Sequence, residues 1–306
     1  MKRRNFIKTT ALGTAVLPGL KWGLDTDMFK DKISGNDTIK DKLWLWGHTA
    51  GVHHHAGSNL PGVNQMGPKE GCDFLGIEKC CRVAFGSAGP FPPFDKEAEK
   101  LKDLKEVVWS AIGDAGSKQH NNDQSDIDGI LHIAEDYPNI SGAILDDFFL
   151  ASAEGEALAR HSVRSIREMQ DKLHNFNKRR LDFWIVWYTH QLNADIDDYL
   201  ELFDVITLWT WKPGDLINLD SNLEKCVERT VGKRHLAGCY MWNWNEAKPL
   251  PMDLMKYQLD TYYHWLKDGK IDGVVFCANT IVDLGLEAVD YARNWIAEVG
   301  NEKISL

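Results

Sequence analysis

The sequence lacks most of the short patterns that announce a function outright. Its six cysteines, Cys72, Cys80, Cys81, Cys226, Cys239 and Cys277, form no C-x-x-C pair, so the usual ligand spacing of a structural zinc site is missing. No G-x-G-x-x-G or P-loop follows the first apolar run, which removes the phosphate cradle of a nucleotide-binding sheet. There is no cationic excess: 35 Lys and Arg face 45 Asp and Glu, a net charge of -10, and nucleic acid is therefore not an expected partner. The compact basic piece "NKRR", Asn177 to Arg180, reads as the solvated end of a helix. Internal repeats and low-complexity tracts are absent as well. The apolar stretch Ala11 to Leu20 is too short to span a bilayer stably.

What is present begins at the N-terminus. In "MKRRNFIKTTALGTAVLPGL", Arg3-Arg4 is followed by Phe6-Ile7 and Lys8, then by the modest apolar run. This order resembles a bacterial twin-arginine signal, which implies that residues 1–40 are an export signal and linker. The expected location is periplasmic or otherwise exported, with no stable membrane span after export. No A-x-A site precedes Trp22 and no Cys follows the apolar run, so a lipoprotein anchor is not supported. Cys80, Cys81, Cys239 and Cys277 fall in apolar runs, where a thiol acts as a small hydrophobe. Export would permit one disulfide, but spacing does not assign its partners.

The remaining chain, with 43% hydrophobic and 26% charged residues overall, has the composition of a globular protein with a substantial core. Short apolar or aromatic runs alternate with amphipathic stretches. Eight strands are predicted: Leu43–Gly47, Cys80–Phe85, Val107–Ile112, Gly142–Asp146, Phe183–Tyr188, Val205–Trp209, Gly238–Trp242 and Gly273–Cys277. Helical patterns lie between them, in "GPKEGCDFLGIEK", from Asp95, in "DQSDIDGILHIAEDYP", from Glu154, and from Pro251 to a stop at Gly269; a final helix spans Asp283 to Glu298. Strict alternation predicts an α/β fold, a single-domain (β/α)8 TIM barrel over residues 41–300. A doubly wound open sheet is the rival, disfavoured by the even strand spacing and the missing glycine motif.

In such a barrel the chemistry gathers where strands end. The first strand end supplies His48, then His53, His54 and His55; the second Gly86-Ser87; the fourth Asp146-Asp147; the fifth Tyr188 and His190; the sixth Trp209 and Trp211; the seventh Asn243, Trp244, Asn245 and Glu246; the eighth Asn279. The stretch "ISGAILDDFF" is a buried run ending in two carboxylates, and alternation sends at least one into the barrel mouth, register deciding which. Glu246 leaves the seventh strand much as Asp147 leaves the fourth. Inward side chains could bring the two within the roughly 5 to 9.5 Å that glycoside hydrolysis uses. Phe148, Phe149, Trp242 and Trp244 are apolar neighbours suited to holding one carboxyl protonated. Nine of twelve tryptophans sit in or within two residues of the strands, and Trp211 and Trp244, beyond strand ends, are placed to stack on a sugar face.

Asp146-Asp147 after strand four, Glu246 after strand seven and the aromatic rim resemble the TIM-barrel glycoside hydrolases. The resemblance implies a glycosidase acting on a carbohydrate without metal or cofactor, using Asp146 or Asp147 with Glu246. Substrate contacts would come from His48, His53, His55, Tyr188, His190, Trp209, Trp211, Asn243, Trp244 and Asn279. Many of those families carry Asn-Glu after strand four, where this chain has Asp-Asp; its Asn-Glu near a strand end is Asn245-Glu246. Two alternatives stay open. The histidines with Asp147, His190 and Glu246 could build the metal site of a sugar isomerase or epimerase barrel, and the same aromatics could serve a noncatalytic carbohydrate-binding barrel. Residues 1–40 fused to a reporter should accumulate outside the bacterial cytoplasm, and Lys at positions 3 and 4 should retain the fusion inside; equal distribution of the two fusions would refute the export reading.

Overall fold

In the computed structural model the described residues are 37–117, 125–150 and 158–304, all within the unit Gly35–Leu306. The expected export signal lies outside them, apart from the last residues of its linker. Strands and helices alternate in chain order: β1 Leu43–Gly47, α1 Pro68–Leu75, β2 Lys79–Arg82, α2 Asp95–Leu101, β3 Glu106–Ile112, α3 Ile127–Asp136, β4 Ile140–Leu145, α4 Val163–His174, β5 Asp182–Tyr188, α5 Asp197–Leu200, β6 Val205–Trp209, α6 Leu219–Arg229, β7 Arg234–Tyr240, α7 Met252–Lys267, β8 Gly273–Cys277 and α8 Glu287–Val299. All strand pairs are parallel and β1 closes on β8, with Leu43 opposite Val274 and Trp46 opposite Cys277. The fold is a (β/α)8 barrel.

The two-residue period of the strands sorts their side chains into two cores. Leu43 and Leu45 pack outward with Cys80, Val107, Phe183 and Phe276 beneath the helices. Trp44 and Trp46 turn inward with Ile144, Trp184, Trp209 and Val275. Four indoles thus share the interior with the branched aliphatics that are usual there. Trp44 meets Trp184 edge-on at 4.9 Å and Trp46 meets Trp209 at 5.2 Å, both favourable ring geometries. Such bulk needs space, and Gly238 on β7 provides it: a Cβ there would stand 2.1 Å from the Trp209 ring.

Several boundaries differ from expectation for physical reasons. β7 starts four residues earlier than predicted, because its polar first residues are satisfied: Arg234 pairs with Asp182 and lies over the Trp184 ring, and His235 contacts Thr230. β2 ends at Arg82 rather than Phe85. α4 begins at Val163, where the Ser162 hydroxyl accepts from the Ser165 N–H, so Leu158 to His161 stay outside the helix; the expected start at Glu154 lies outside the described residues. α8 begins at Glu287 because Asp283 accepts instead from Asn64 and the Gln65 N–H. The basic piece is anchored as well as solvated, with Arg179 donating to the carbonyls of Ala134, Tyr137 and Ile140. All six cysteines are buried free thiols.

Gly238→Ala should lower stability by about 1–3 kcal/mol, the usual cost of overpacking a close-packed core, read as a lower urea midpoint at unchanged slope. An unchanged midpoint would show that Trp209 has room to move.

Candidate active site

At the carboxyl ends of the strands a cavity of about 200 Å³ is lined by His48, His53, Asp114, Asp146, Asp147, Tyr188 and a set of aromatic rings. By that measure one water needs only about 10–15 Å³, so a small polar ligand fits. Of the residues expected at the site, the cavity gathers His48, His53, Asp146, Asp147, Tyr188, Trp209, Trp211 and Trp244.

Both carboxylates of the "LDD" stretch line it. A continuing strand would have sent them to opposite faces. β4 instead ends at Leu145, and Asp147 adopts a left-handed backbone, φ +43°. Asp is among the residues that tolerate this region, and local bonds hold it. The Asp147 N–H donates to Asp146 Oδ1 at 2.9 Å, the Tyr188 hydroxyl donates to Asp147 Oδ1 at 2.7 Å, and the Ala115 N–H donates to Asp147 Oδ2 at 3.2 Å. Asp146 is 7% exposed. Burial, reinforced by the neighbouring Asp147 and Asp114, pushes its carboxyl well above the usual range, so Asp146 holds its proton more tightly than a solvated carboxyl does. Burial likewise raises the phenols of Tyr188 and Tyr240.

His48 and His53 are neutral groups. His48 Nδ1 lies 3.1 Å from the Val83 carbonyl, which can only accept, so the proton sits on Nδ1 and Nε2 is an acceptor. Burial first, then His53 and Arg82, hold its pKa well below the ordinary histidine value. His53 contacts the Thr280 hydroxyl at 2.6 Å, and burial lowers its pKa to about 4 despite the attraction of Asp114.

Asp114 was missing from the sequence-derived set. It stands two residues past β3, in "GDAG", accepting from the Gly86 N–H at 2.8 Å, from the Gly116 N–H at 3.2 Å and from the Ser117 hydroxyl. Gly113 permits this turn, since a Cβ there would lie 2.8 Å from the Ala84 carbonyl oxygen. The strand-end rule that produced the other candidates applies equally to β3. Tyr240, Trp46 and Phe85 also line the cavity unforeseen.

Four expected residues stand elsewhere. Glu246 is not in the cavity lining: Asn243 and Lys248 exchange backbone bonds of 3.1 and 3.3 Å, Ala247 turns left-handed at φ +50°, and Glu246 projects from this loop with 52% of its side chain exposed. There it accepts from Asn243 at 2.7 Å and pairs with Lys248 at 3.1 Å, which lowers its pKa. The geometry therefore does not assemble an Asp147–Glu246 pair. Asn243 spends its side chain on that loop. Asn279 is buried, accepting from the His48 N–H at 2.7 Å and donating to the carbonyls of His48 and Met66; it ties the end of β1 to the end of β8. His190 is exposed and stacks on Tyr188 at 5.4 Å. The His55 side chain lies outside the described residues. Among the described residues no cluster of three or more His, Cys, Asp or Glu side chains is arranged to hold a metal ion, the suggested donors being dispersed between cavity and surface.

No family model matches the chain, and no curated protein matches it by sequence. Solved structures do resemble it. A candidate alpha-L-fucosidase from Bacteroides thetaiotaomicron VPI-5482 superposes with a TM-score of 0.55 at 10% identity, covering 88% of this chain and 98% of that one. The beta-glucuronidase of Ruminococcus gnavus superposes at 0.52 with 9% identity, covering 87% of this chain. The likeness is one of fold. This chain spans half the length of the glucuronidase, 50%.

A carboxyl that keeps its proton when folded but loses it when unfolded makes stability fall as pH rises from about 4, the unfolded value, toward the raised folded value. Asp146→Asn removes that loss. Its urea midpoint should therefore gain on the parent's as pH rises from about 4 to 7, and a pH-independent difference would contradict a buried, protonated Asp146.

Proposed function

We propose that the chain is a glycoside hydrolase that works at the barrel-rim cavity, with Asp146 as proton donor and Asp147 as the second catalytic carboxyl group beside it. The observation that carries this reading is the juxtaposition of a buried Asp146, its carboxyl pushed well above the usual range, with Asp147 inside an aromatic-lined cavity. An acid role requires a carboxyl whose proton affinity its surroundings raise, and burial does this for Asp146. Asp146 would protonate the glycosidic oxygen as its bond to the anomeric carbon breaks, while Asp147, oriented by Tyr188 and the Ala115 N–H, would act at the anomeric carbon as nucleophile or base. Trp211 and Trp244 offer apolar faces to the sugar ring, and His48 Nε2 can accept from a hydroxyl. The fold shared with glycosidases supports the reading without deciding it. We place the enzyme outside the cytoplasm on the strength of Arg3-Arg4, with residues 1–40 as signal and linker and 41–300 as the catalytic barrel.

On a glycoside that the parent hydrolyses, Asp146→Asn and Asp147→Asn should each lower kcat by about a hundredfold or more, the scale of general acid–base help, with sugar binding retained. Glu246→Gln should stay within about threefold of the parent, since its side chain stands in solvent. Full activity in both Asp variants, or collapse in the Glu246 variant, would overturn this assignment. Tight sugar binding without turnover of any aryl glycoside or oligosaccharide would favour a noncatalytic carbohydrate-binding barrel.

A further inference from the structure

The groups that face the cavity are unusually one-sided. Asp114, Asp146 and Asp147 all line it, and no Lys or Arg does among the described residues. The cationic side chains whose field reaches the site are committed elsewhere. Arg82 pairs with Glu97 at 2.9 Å and donates to the Gly47 and Val83 carbonyls, and Arg160 donates to the carbonyls of Gly113, Asp114, Asp146 and Ser117. Asp146, although 7% exposed, uses only Oδ1 in a hydrogen bond to described residues, which leaves Oδ2 open toward a ligand. His48 presents Nε2 as an acceptor. Around these stand the rings of Trp46, Trp209, Trp211, Tyr240 and Trp244, with Phe85 beside the histidines.

We infer that the cavity selects a sugar carrying a protonated amine, an amino sugar with its nitrogen unacylated, over neutral sugars, and that it rejects uronates; this rests on the carbohydrate reading above. An ammonium group has three donors and no acceptor, the complement of a lining rich in carboxylate and imidazole acceptors. Aromatic faces attract a cation through the ring quadrupole, and most strongly where water is excluded. N-acetylation removes the positive charge that the aromatic faces and carboxylates attract. A uronate would bring a second negative charge against Asp147 with no cation to receive it, a desolvated arrangement that costs both partners.

Calorimetric titration of the full chain tests this at about pH 6, where a weakly basic amine is protonated. The probes are glucosamine, galactosamine and mannosamine, each beside its N-acetyl form and its parent hexose, together with glucuronate and galacturonate. At least one free amine should bind tenfold or more tighter than its acetylated and neutral counterparts, with no saturable uronate binding. Asp147→Asn should bring that ratio close to one at an unchanged melting temperature. Asp114→Asn should narrow it too, and stands in if the first variant fails to fold. Equal or tighter binding of the neutral forms, saturable uronate binding, an unchanged ratio in the variants, or no binding by any probe would each overturn the inference. Amine selectivity without hydrolysis would uphold it while ending the glycosidase reading, and hydrolysis of neutral glycosides without amine selectivity would do the reverse.

Discussion

Closing eight parallel strands into a ring puts every strand's carboxyl end on one rim, and the site follows from that constraint. His48 after β1, Asp114 after β3, Asp146 after β4 and Tyr188 at the end of β5 lie far apart in the chain, yet they line one cavity. The ring also needs a filled interior. Here indoles from β1, β5 and β6 form the floor, with Gly238 yielding space to Trp209. The same rings that complete the core, Trp46 and Trp209, reach up into the cavity, so core packing and cavity lining share residues.

Burial supplies the chemistry of the rim. It raises the proton affinity of Asp146 and lowers that of His48 and His53, so the cavity sets a carboxyl that resists ionisation among neutral imidazoles. The surroundings hold it in place: Arg160 binds carbonyls of the β3 and β4 ends together, and Asn279 fastens β1 to β8. These bonds leave the loops carrying Asp114 and Asp146 little freedom relative to each other.

The seventh strand shows how a local turn can overrule a pattern. "NWNE" reads like a catalytic strand end, yet the bridge between Asn243 and Lys248 closes a loop that carries Glu246 into solvent and leaves Trp244 at the cavity. His53 then packs on Trp244 at 4.4 Å, so the loop contributes a ring where a carboxylate was expected.

By itself the sequence determined the fold class, the number of strands and which segments meet at the rim, because the period of two in each strand and the helical stretches between them are local properties of the chain. It also placed Asp146-Asp147, His48, Tyr188 and the rim tryptophans within reach of one another. Tertiary structure decided the rest. That both adjacent carboxylates face the cavity depends on a left-handed residue stabilised by Tyr188, 41 positions away. That Asn279 is a tether depends on backbone groups of β1's end and Met66. Whether Asp146 holds a proton, and whether Glu246 takes part at all, depends on how much water each side chain keeps, and exposure belongs to the assembled barrel, not to any stretch of its sequence.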